Sequence, residues 1–557
     1  MNALATPWET IAAALAAAVN RPRQLPVTPE QVALFHQLHL ALERGDTGIV
    51  VDEATRKWLL DQPWAGNGTP PTPVVVTGPF VQWYRYWRAE QAIAAALTAR
   101  LAAASPALTI PEPVRTAATA WGLHDAQIAA LARMVAQPVT LLTGGPGTGK
   151  TTTLVWFLAA LAMSSEQLPT VALAAPTGKA AQRMSEAIAQ VLKNLPLAPA
   201  IHTALAQLSA QTLHRLLGIG RFAQPRHTAE NPLPHSWVII DEGSMVDLLL
   251  LEKVVAALAP HARLIVIGDP NQLAPVEAGS VLGDLVTRFP ACHVPLKRSH
   301  RFGAGIGALA EAVLAGDAKA AWALVSAGSP TTDSELTLLP ATREALLAAV
   351  DDGYATYLAH LSRQKGRMLS DDEAATLARA LLGALTHFRV LTPLRHHPQQ
   401  GTDALNDLII DHWHRRGIPF IGDRLLLGHA VQITANDYTT NLYNGDLGVL
   451  LPAAHGLVAW FADPGSVSGM RPIPFTQLPP WENAWVSTVH KAQGSEFTAA
   501  LLYLPHEADL AANRALLYTA ITRAKRRFLL ATEEDTFAKA VARPTQRLSG
   551  WQIAAER

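Results

Sequence analysis

Cysteine is nearly missing from the 557-residue sequence, in which Cys292 stands alone. A single cysteine excludes a disulfide within the chain and excludes metal centres that need several cysteine ligands. Such low usage is typical of proteins in a reducing compartment, and we expect a cytoplasmic protein.

Long apolar segments are missing as well. The longest apolar run near the N-terminus, residues 11–19, is too short to span a bilayer. Glu9 precedes this run and no Lys or Arg does, which is unlike a secretory signal peptide. The sequence therefore predicts no membrane contact.

An excess of charge of either sign is the third absence, because 45 Lys and Arg balance 45 Asp and Glu. A neutral chain lacks the overall basic charge that often accompanies independent nucleic-acid binding, so any contact with DNA must be local. What the chain does have is a hydrophobic fraction of 49% and a length beyond a single core. These values predict a folded protein of roughly three or four domains.

Buried parallel strands are the first positive signal. Four short aliphatic runs show little alternation of apolar and polar positions: residues 139–143, 171–174, 238–240 and 264–267. Helical patterns such as 179–192 and 248–258 separate them, so the βαβ arrangement repeats. Runs at 389–391, 499–503 and 528–530 predict a second sheet of the same kind. The predicted fold class is α/β with two parallel sheets.

The remaining segments predict two further units. Residues 1–115 are Ala-rich and mostly helical in pattern, with an extended run at 73–77 and a boundary near Pro111. Short segments separated by turn signals, such as Asn444 followed by Gly445, predict a β-rich insertion. The predicted domains are 1–115, a first α/β domain at 116–297, a second at 298–394 with 486–557, and the insertion at 395–485.

A phosphate-binding loop follows the first predicted strand. Residues 144–151 have the sequence Gly-Gly-Pro-Gly-Thr-Gly-Lys-Thr and open a predicted helix, which is the context that such a loop requires. Glycines allow backbone N–H groups to surround phosphates, Lys150 reaches the β and γ phosphates of ATP, and Thr151 ligates Mg²⁺. The predicted nucleotide-binding residues are Gln127, Gly144, Gly145, Pro146, Gly147, Thr148, Gly149, Lys150, Thr151 and Thr152. For Gln127, a surface amide of a helix is the alternative to contact with the adenine edge.

Two adjacent acids follow the strand at 238–240. Asp241 would hold Mg²⁺ and Glu242 would orient the attacking water, since both roles need carboxylates at the carboxyl edge of the sheet. Without the phosphate loop, the pair would be interpreted as a solvated strand end. Gln272 follows the next strand and is predicted to lie near the γ-phosphate.

Further segments extend this pattern to a family. They lie at residues 174–181, 212–218, 241–245, 268–279, 299–302, 487–497 and 517–524. In this order they resemble the motifs of superfamily 1 DNA helicases of the RecD-like, 5′→3′ class. The sequence departs from the family pattern at Gly243, where Ala is usual, and at His300, where Tyr is usual. Neither departure removes a catalytic group.

The resemblance implies two RecA-like lobes with ATP in the cleft between them, and an SH3-like insertion beside the DNA path. Arg301 and Arg523 would reach the γ-phosphate from the second lobe as arginine fingers and complete a catalytic set that also contains Lys150, Glu242 and Gln272. The residues implied to contact DNA are Thr177, His214, Tyr438, Asn444, Thr488 and His490. At Asn444, a plain hairpin turn is the alternative.

Partner subunits are also implied. Residues 74–90 resemble the domain by which RecD-like subunits dock onto a RecC-like partner, although Trp83 and Trp87 could instead form one face of a helix in the domain's own core. The implied partners are single-stranded and duplex-end DNA, and RecB-like and RecC-like subunits in a heterotrimer that processes double-strand breaks, with the nuclease centre on another chain. The alternatives are a stand-alone RecD-like helicase, although such forms have longer N-terminal regions, and a DNA-binding scaffold with an inactive ATP site.

Pairs of histidines suggest a metal site that the rest of the sequence does not support. His396 and His397 are adjacent, and His412 and His414 lie two residues apart. No cysteine or clustered acid completes a tetrahedral ligand set around them. Apart from the Mg²⁺ that accompanies ATP, the sequence predicts no metal centre.

Overall fold

The computed structural model describes residues 7–103, 109–164, 168–195, 197–220, 224–297, 303–328, 334–364, 369–422, 424–437, 439–453, 456–463, 466, 468–508, 511–545 and 547–555. The candidate site residues Arg301 and Tyr438 lie outside the described residues, as does His300.

The N-terminal region combines helices with a small sheet. Its helices are α1 (Pro7–Asn20), α2 (Pro29–Glu43), α3 (Glu53–Leu60) and α4 (Tyr84–Ala102), and its strands are β1 (Gly48–Val50), β2 (Ala65–Gly66), β3 (Val74–Thr77) and β4 (Phe80–Trp83). The strand order is β1-β4-β3-β2. The sequence predicts the helices and β3, which is an uninterrupted β-branched run. Strands β1, β2 and β4 are missed because they have only two to four residues and contain no such run.

Trp83 and Trp87 do not share a helix face. Trp83 ends β4, and its ring centroid lies 4.7 Å from that of Phe35. Trp87 lies on α4, where a Cβ added to Gly68 would be 2.6 Å from its ring. The prediction of a shared helix face is therefore wrong, and both rings pack within the region itself.

The first parallel sheet forms the first lobe. Its strands are β5 (Val139–Gly144), β6 (Val171–Ala175), β7 (Ala210–Thr212), β8 (Trp237–Ile240), β9 (Arg263–Gly268) and β10 (His293–Leu296), in the order β10-β5-β9-β8-β6-β7. Its helices are α5 (Glu112–Ala120), α6 (Asp125–Ala136), α7 (Lys150–Ser164), α8 (Gly178–Leu192), α9 (Pro199–Ala206), α10 (Leu213–Leu217), α11 (Leu248–Ala257) and α12 (Val281–Arg288). The four central strands are the four predicted ones, and the missed strands β7 and β10 are the partly exposed edges.

Helix α4 fixes the N-terminal region to the first lobe. Ile93 and Leu97 of α4 are buried in the same core as Val254 of α11. The Arg100 guanidinium donates hydrogen bonds of 2.8–2.9 Å to the carbonyls of Leu258, Ala259 and Ala262 just after α11. These contacts satisfy carbonyls that a helix end leaves without internal partners.

The second lobe begins with strands β11 (Leu336–Leu339) and β12 (Phe388–Thr392) and helices α13 (Ala304–Ala315), α14 (Ala318–Ser326), α15 (Arg343–Gly353), α16 (Ala355–Ser362), α17 (Asp371–Leu385) and α18 (Thr402–Arg415). Helix α18 falls where only short strands are expected. Leu405, Ile409 and Trp413 recur on one face of α18 and are buried in the lobe's core. The turn residues on either side of this segment concealed that period.

An antiparallel insertion interrupts the second lobe. Its strands are β13 (Phe420–Gly422), β14 (Leu425–Leu426), β15 (His429–Ile433), β16 (Leu447–Ala453), β17 (Gly456–Ala462), β18 (Met470–Pro474) and β19 (Trp481–Asn483). Five of them form a sheet in the order β18-β17-β16-β15-β19. A small core of its own, including Val431, Leu450 and Phe461, holds this sheet together.

The second parallel sheet is completed after the insertion. Strands β20 (Val486–Thr488), β21 (Phe497–Tyr503) and β22 (Ala524–Ala531) join β11 and β12 in the order β11-β22-β21-β12-β20. Helix α19 (Arg514–Ile521) lies between β21 and β22, and helices α20 (Glu534–Ala542) and α21 (Gly550–Ala555) follow β22. All neighbouring strands of both lobes are parallel. The predicted α/β class is confirmed. Within the described ranges, no helix is both long and apolar enough to cross a bilayer.

Candidate functional site

A cavity lies in the cleft between the lobes, where loops leave the carboxyl ends of β5, β8 and β9. We call this space of about 670 Å³ the cleft cavity. Its lining includes predicted site residues from both lobes: Gln127, Pro146, Gly147, Gly149, Lys150, Thr151, Thr152, Asp241, Glu242, Gln272 and Arg523. Gly144, Gly145 and Thr148 belong to the same loop but do not line the cavity. The structure thus gathers residues that are almost 400 positions apart in the sequence.

The loop at 144–151 is shaped to surround an anion. Gly147 and Gly149 have φ angles of +77° and +83°, which residues with a side chain rarely adopt. The Lys150 ammonium donates to the carbonyl of Gly144 at 2.6 Å and to that of Gly145 at 3.0 Å. Because Lys150 also begins α7, a positive helix end and a lysine converge on the loop.

Asp241 and Glu242 form a crowded acidic pair at the end of β8. Glu242 has a φ of +53°, a strained conformation for a residue that is not glycine, and its N–H donates to the Asp241 carboxylate at 2.9 Å. Burial and the neighbouring Glu242 charge raise the pKa of Asp241, and Lys150 opposes this rise. A cation beside Asp241 would therefore favour its ionised form.

Gln272 also lines the cleft cavity. Its Nε2 donates to the Asp269 carboxylate at 3.2 Å, and its buried Oε1 has no hydrogen-bond partner among the described atoms. The same oxygen of Asp269 accepts a 2.9 Å hydrogen bond from the Tyr518 hydroxyl of the second lobe. Sequence reasoning missed the roles of Asp269 and Tyr518, although both lie within the recognised segments.

Arg523 enters the cleft cavity from the second lobe. It is only 3% exposed, and it donates to the carbonyls of Thr519 and Ser495 at 3.0 and 3.1 Å. Burial lowers the pKa of Arg523, while the charges of Glu242 and Asp269 counteract this shift. The guanidinium is thus held near the two acids of the first lobe, and its role as an arginine finger remains a prediction.

Leu273, the residue after Gln272, forms two hydrogen bonds with the second lobe. The Leu273 N–H donates to the Thr519 hydroxyl at 2.9 Å, and the Leu273 carbonyl accepts from Gln493 Nε2 at 2.7 Å. Gln493 also lines a second cavity, described next. A single peptide segment therefore connects the cleft cavity to the second lobe.

The second cavity, of about 390 Å³, lies between the first lobe and the insertion, and we call it the side cavity. Its lining residues are Pro176, Thr177, Gly178, Lys179, Thr212, His214, Met245, Gln432, Asn436, Asn444, Gly445, His490, Lys491 and Gln493. Four of the six residues predicted to contact DNA are among them. Thr488 is buried beside it, where its hydroxyl accepts from the Lys491 N–H at 3.2 Å.

Basic side chains concentrate at the side cavity although the whole chain is neutral. Lys179 and Lys491 accompany His214 and His490 there, and the two lysines were not predicted. Burial and the nearby Arg183 charge lower the pKa of Lys179 to about 7, against the effect of Asp446. An anionic ligand would restore its full charge.

Gln127 is buried and is not a surface amide. Its Oε1 accepts from the His124 N–H at 3.1 Å, and its Nε2 donates to the Thr153 hydroxyl at 3.4 Å. A Cβ on Gly149 would lie 2.4 Å from that Nε2, so Gln127 packs directly against the phosphate loop. Trp121 lines the cavity nearby, a position that no sequence signal marked.

Two protein-family models match the chain. An AAA domain model matches residues 127–278, and a UvrD-like helicase C-terminal domain model matches residues 483–531. The first range contains the phosphate loop and Gln272, and the second contains Gln493 and Arg523.

Curated relatives decide the family. The RecBCD enzyme subunit RecD of Mycobacterium tuberculosis (strain CDC 1551 / Oshkosh) is 38% identical over 485 residues, which cover 84% of this chain and 79% of the relative. The chain belongs to the RecD family. The RecD subunit of Haemophilus influenzae is 31% identical over 76% of this chain and 71% of its own length. Like other members of the RecD family, the chain is an ATP-dependent DNA helicase.

More distant likenesses extend to other helicases. The ATP-dependent RecD2 DNA helicase of Deinococcus radiodurans is 32% identical over 78% of this chain but only 51% of its own length. A crystal structure of Pif1 helicase from Bacteroides in complex with ADP-AlF3 and ssDNA aligns with a TM-score of 0.40 at 17% identity, over 80% of this chain and 96% of that one.

The departure from the RecD family pattern at Gly243 has a local cause. A Cβ at this position would lie 2.5 Å from Val266 Cγ1 and 3.2 Å from the Ile267 carbonyl oxygen. Strand β9 therefore packs against the turn after Glu242 more closely than an alanine allows.

His412 and His414, two of the histidines that suggested a metal site, contact neighbouring side chains. His412 Nε2 lies 2.9 Å from the Asp351 carboxylate, which also accepts from Trp413 Nε1 at 3.0 Å. The His414 ring stacks on Phe420 at a centroid distance of 3.9 Å. In the part of the chain that the structure describes, no group of three or more His, Cys, Asp or Glu could hold a metal ion.

Proposed function

We propose that the chain is the 5′→3′ helicase subunit of a RecBCD-type assembly that loads on duplex DNA ends. The observation that carries the mechanism is the position of Leu273. Gln272 lines the cleft cavity, and the next residue, Leu273, is bonded to Gln493, which lines the side cavity. Gain or loss of the γ-phosphate beside Gln272 would therefore displace Leu273 and, through its hydrogen bond, Gln493 beside the DNA path.

Nucleotide chemistry in the cleft cavity follows from its side chains. Lys150 neutralises phosphate charge, Glu242 orients the attacking water, and Arg523 stabilises charge that develops on the γ-phosphate. The Thr151 hydroxyl and the Asp241 carboxylate line the same cavity and are oxygen donors of the kind that Mg²⁺ prefers. Bound there, Mg²⁺ would supply charge that holds the β and γ phosphates.

Translocation requires that the side cavity respond to the nucleotide. Thr177 and His214 belong to the first lobe, whereas Asn444 belongs to the insertion of the second lobe and His490 to the second lobe itself. Closing and opening the cleft would therefore change the spacing of phosphate-binding groups along single-stranded DNA. The 5′→3′ direction is supported by the family resemblance of the motifs.

Docking on partner subunits is supported by the exposed surface of the N-terminal region. Of ten exposed large hydrophobic residues found among the described positions, seven lie in this region: Trp8, Ile11, Leu15, Val27, Val50, Leu60 and Leu101. Trp8, Ile11 and Leu15 follow helical spacing on α1, whose adjacent face, including Ala16, is buried. An apolar stripe on the outside of a helix is typical of a protein interface. The relatives named as RecBCD subunits support RecB-like and RecC-like partners.

Strand separation by the purified chain tests this proposal. Duplexes with a 5′ or a 3′ single-stranded tail are compared, with and without co-expressed candidate RecB-like and RecC-like subunits. We expect unwinding from the 5′ tail only, and stronger activity with partners. Full activity without partners would favour a stand-alone helicase, and unwinding from the 3′ tail would contradict the proposed direction.

A further inference from the structure

The end of the chain crosses from the second lobe back to the first within a few residues. The Thr545 hydroxyl accepts a 2.9 Å hydrogen bond from the Ala515 N–H at the start of α19, the helix that precedes Arg523. Only two positions later, Arg547 contacts the first lobe and the N-terminal region. Residue 545 and residues 547–552, which we call the tail, therefore tie the two lobes together.

Arg547 lies at a three-way junction. Its Nη1 donates to the Glu277 carbonyl of the first lobe at 3.0 Å. Its guanidinium covers Gly45 of the N-terminal region, where φ is +86° and an added Cβ would be 2.2 Å from Arg547 Cζ. Burial lowers the pKa of Arg547, and the charges of Asp46 and Glu277 oppose this shift.

Backbone hydrogen bonds surround this arginine. The Leu548 N–H donates to the Asp46 carboxylate at 2.9 Å, and the Thr47 N–H donates to the Leu548 carbonyl at 2.9 Å. The Gly279 N–H donates to the Gly45 carbonyl at 2.9 Å. The tail, residues 45–47 and residues 277–279 are thus bonded in one continuous set.

Buried groups further along the tail hold it in place. The Gly550 N–H donates to the Glu90 carboxylate at 3.1 Å, and Gln552 Nε2 donates to the Asp284 carboxylate at 2.8 Å. Trp551 is buried in the core that α4 shares with the first lobe. The tail is therefore part of the packed structure and can transmit a displacement.

Residues 268–279 connect this junction to the nucleotide. Gln272 faces the cleft cavity, Leu273 is bonded to the second lobe, and Glu277 is bonded to Arg547. Arg547 also interacts electrostatically with His490 of the side cavity. One short segment therefore joins the nucleotide site, the lobe interface and the N-terminal region.

We propose that Arg547 is a positioning residue that transmits the nucleotide state from residues 268–279 to the N-terminal region. When Gln272 shifts on contact with the γ-phosphate, Glu277 shifts with it. The hydrogen bond between Arg547 and Glu277 then displaces the Arg547 guanidinium, and with it Gly45 and Asp46. This route lies within the chain. Its further effect on partner subunits rests on the proposed function.

Hydrogen–deuterium exchange on the full-length chain tests the route directly, with and without a non-hydrolysable ATP analogue. In the unmodified protein we expect the analogue to slow exchange at 144–152 and to change exchange at 45–48, 277–279 and 547–550. In Arg547→Ala the response at 144–152 is kept and the response at 45–48 is lost, with exchange of the Thr47 and Leu548 amides about tenfold faster. Arg547→Lys should restore part of the response, and Arg526→Ala, at an exposed arginine, should change neither.

Three results would overturn the proposal. A response at 144–152 with none at 45–48 in the unmodified protein would refute the route but leave the nucleotide site intact. A response at 45–48 in Arg547→Ala equal to that of the unmodified protein would also refute the route and leave the nucleotide site intact. If the alanine variant does not fold, Arg547→Gln replaces it in this comparison. No response at 144–152 would refute the nucleotide site itself, and the route with it.

A coupling assay separates positioning from a merely structural role. We expect Arg547→Ala to leave the KM for ATP within about twofold and to lower the base pairs unwound per ATP hydrolysed several-fold. A parallel fall of unwinding and hydrolysis, with a fall in Tm, would show that Arg547 only stabilises the fold.

Discussion

The Tyr518 hydroxyl donates a 2.9 Å hydrogen bond to the Asp269 carboxylate and thereby joins the two lobes beside the nucleotide site. The accepting oxygen is also the one bonded to Gln272 Nε2. A Cβ on Gly145 would lie 2.9 Å from the same hydroxyl, so the tyrosine closes over the phosphate loop. Lobe closure and the orientation of Gln272 consequently depend on one carboxylate oxygen.

Replacing this tyrosine should impair hydrolysis more than binding. Tyr518→Phe keeps the ring and removes the hydrogen bond to a charged group, so we expect DNA-stimulated kcat to fall about tenfold while the KM for ATP changes less than about twofold. Steady-state ATPase assays measure both. Tyr84→Phe, in the N-terminal region, is the matched control. A rise in KM with kcat unchanged would show that Tyr518 contributes to ground-state binding instead.

Loss of the loop lysine should abolish turnover without unfolding the protein. Lys150→Gln removes the ammonium that the loop carbonyls hold at the phosphate position. We expect no DNA-stimulated ATP hydrolysis and an unchanged Tm. Lys193→Gln, at an exposed lysine after α8, should retain full activity. Retained turnover in Lys150→Gln would overturn the assignment of the phosphate loop.

The planar geometry of the Arg523 guanidinium should contribute to ATP hydrolysis as well as its charge. Arg523→Lys keeps the cation but cannot reproduce two-point contact with a phosphoryl group, and it loses hydrogen bonds to Thr519 and Ser495. We expect ATP binding to be retained and kcat to fall about a thousandfold. Fluorescent-nucleotide titration and ATPase rates distinguish the two effects, and Arg526→Lys controls for the substitution. Unchanged kcat would place the finger elsewhere.

The local parts of this architecture could be predicted because each is encoded in a short stretch of sequence. Strand β8 is apolar throughout, since both of its faces are buried, and the phosphate loop at 144–151 is contiguous. Strand β7 was missed because all three of its residues are half-buried and show no such run. Segments at sheet edges carry a weaker hydrophobic signal than central strands.

Relationships between distant segments could not be predicted in the same way. The partners of Asp269 and Leu273 are Tyr518 and Thr519, almost 250 positions away, and they are set by how the lobes dock. Arg547 resembles any exposed C-terminal arginine in the sequence. Only the folded chain brings it to Gly45.

DNA affinity should depend on pH through Lys179. Burial lowers its pKa to about 7 in the free protein, and a DNA phosphate would raise this pKa, so binding takes up a proton above neutral pH. Affinity for single-stranded DNA should therefore be full below pH 7 and fall as the pH rises above it. Fluorescence anisotropy from about pH 6 to 9 measures this dependence. Lys179→Arg, which stays charged, should flatten the profile, while Lys193→Arg should leave it unchanged; an identical slope in Lys179→Arg would assign the dependence to another group.

Restoring the family's usual alanine at position 243 should destabilise this protein. The added Cβ would meet Val266 Cγ1 at 2.5 Å, and overpacking of this kind costs about 1–3 kcal/mol in the free energy of unfolding. Urea denaturation of Gly243→Ala measures the loss, and the double variant Gly243→Ala with Val266→Ala should show a smaller loss than the sum of the two single changes, since each removes part of the other's conflict. Gly383→Ala, in α17 where an added Cβ meets nothing within 4 Å, is the control and should not destabilise the protein. Strict additivity of the two changes would mean that the turn after Glu242 shifts away from β9, and that the close packing is not what excludes alanine.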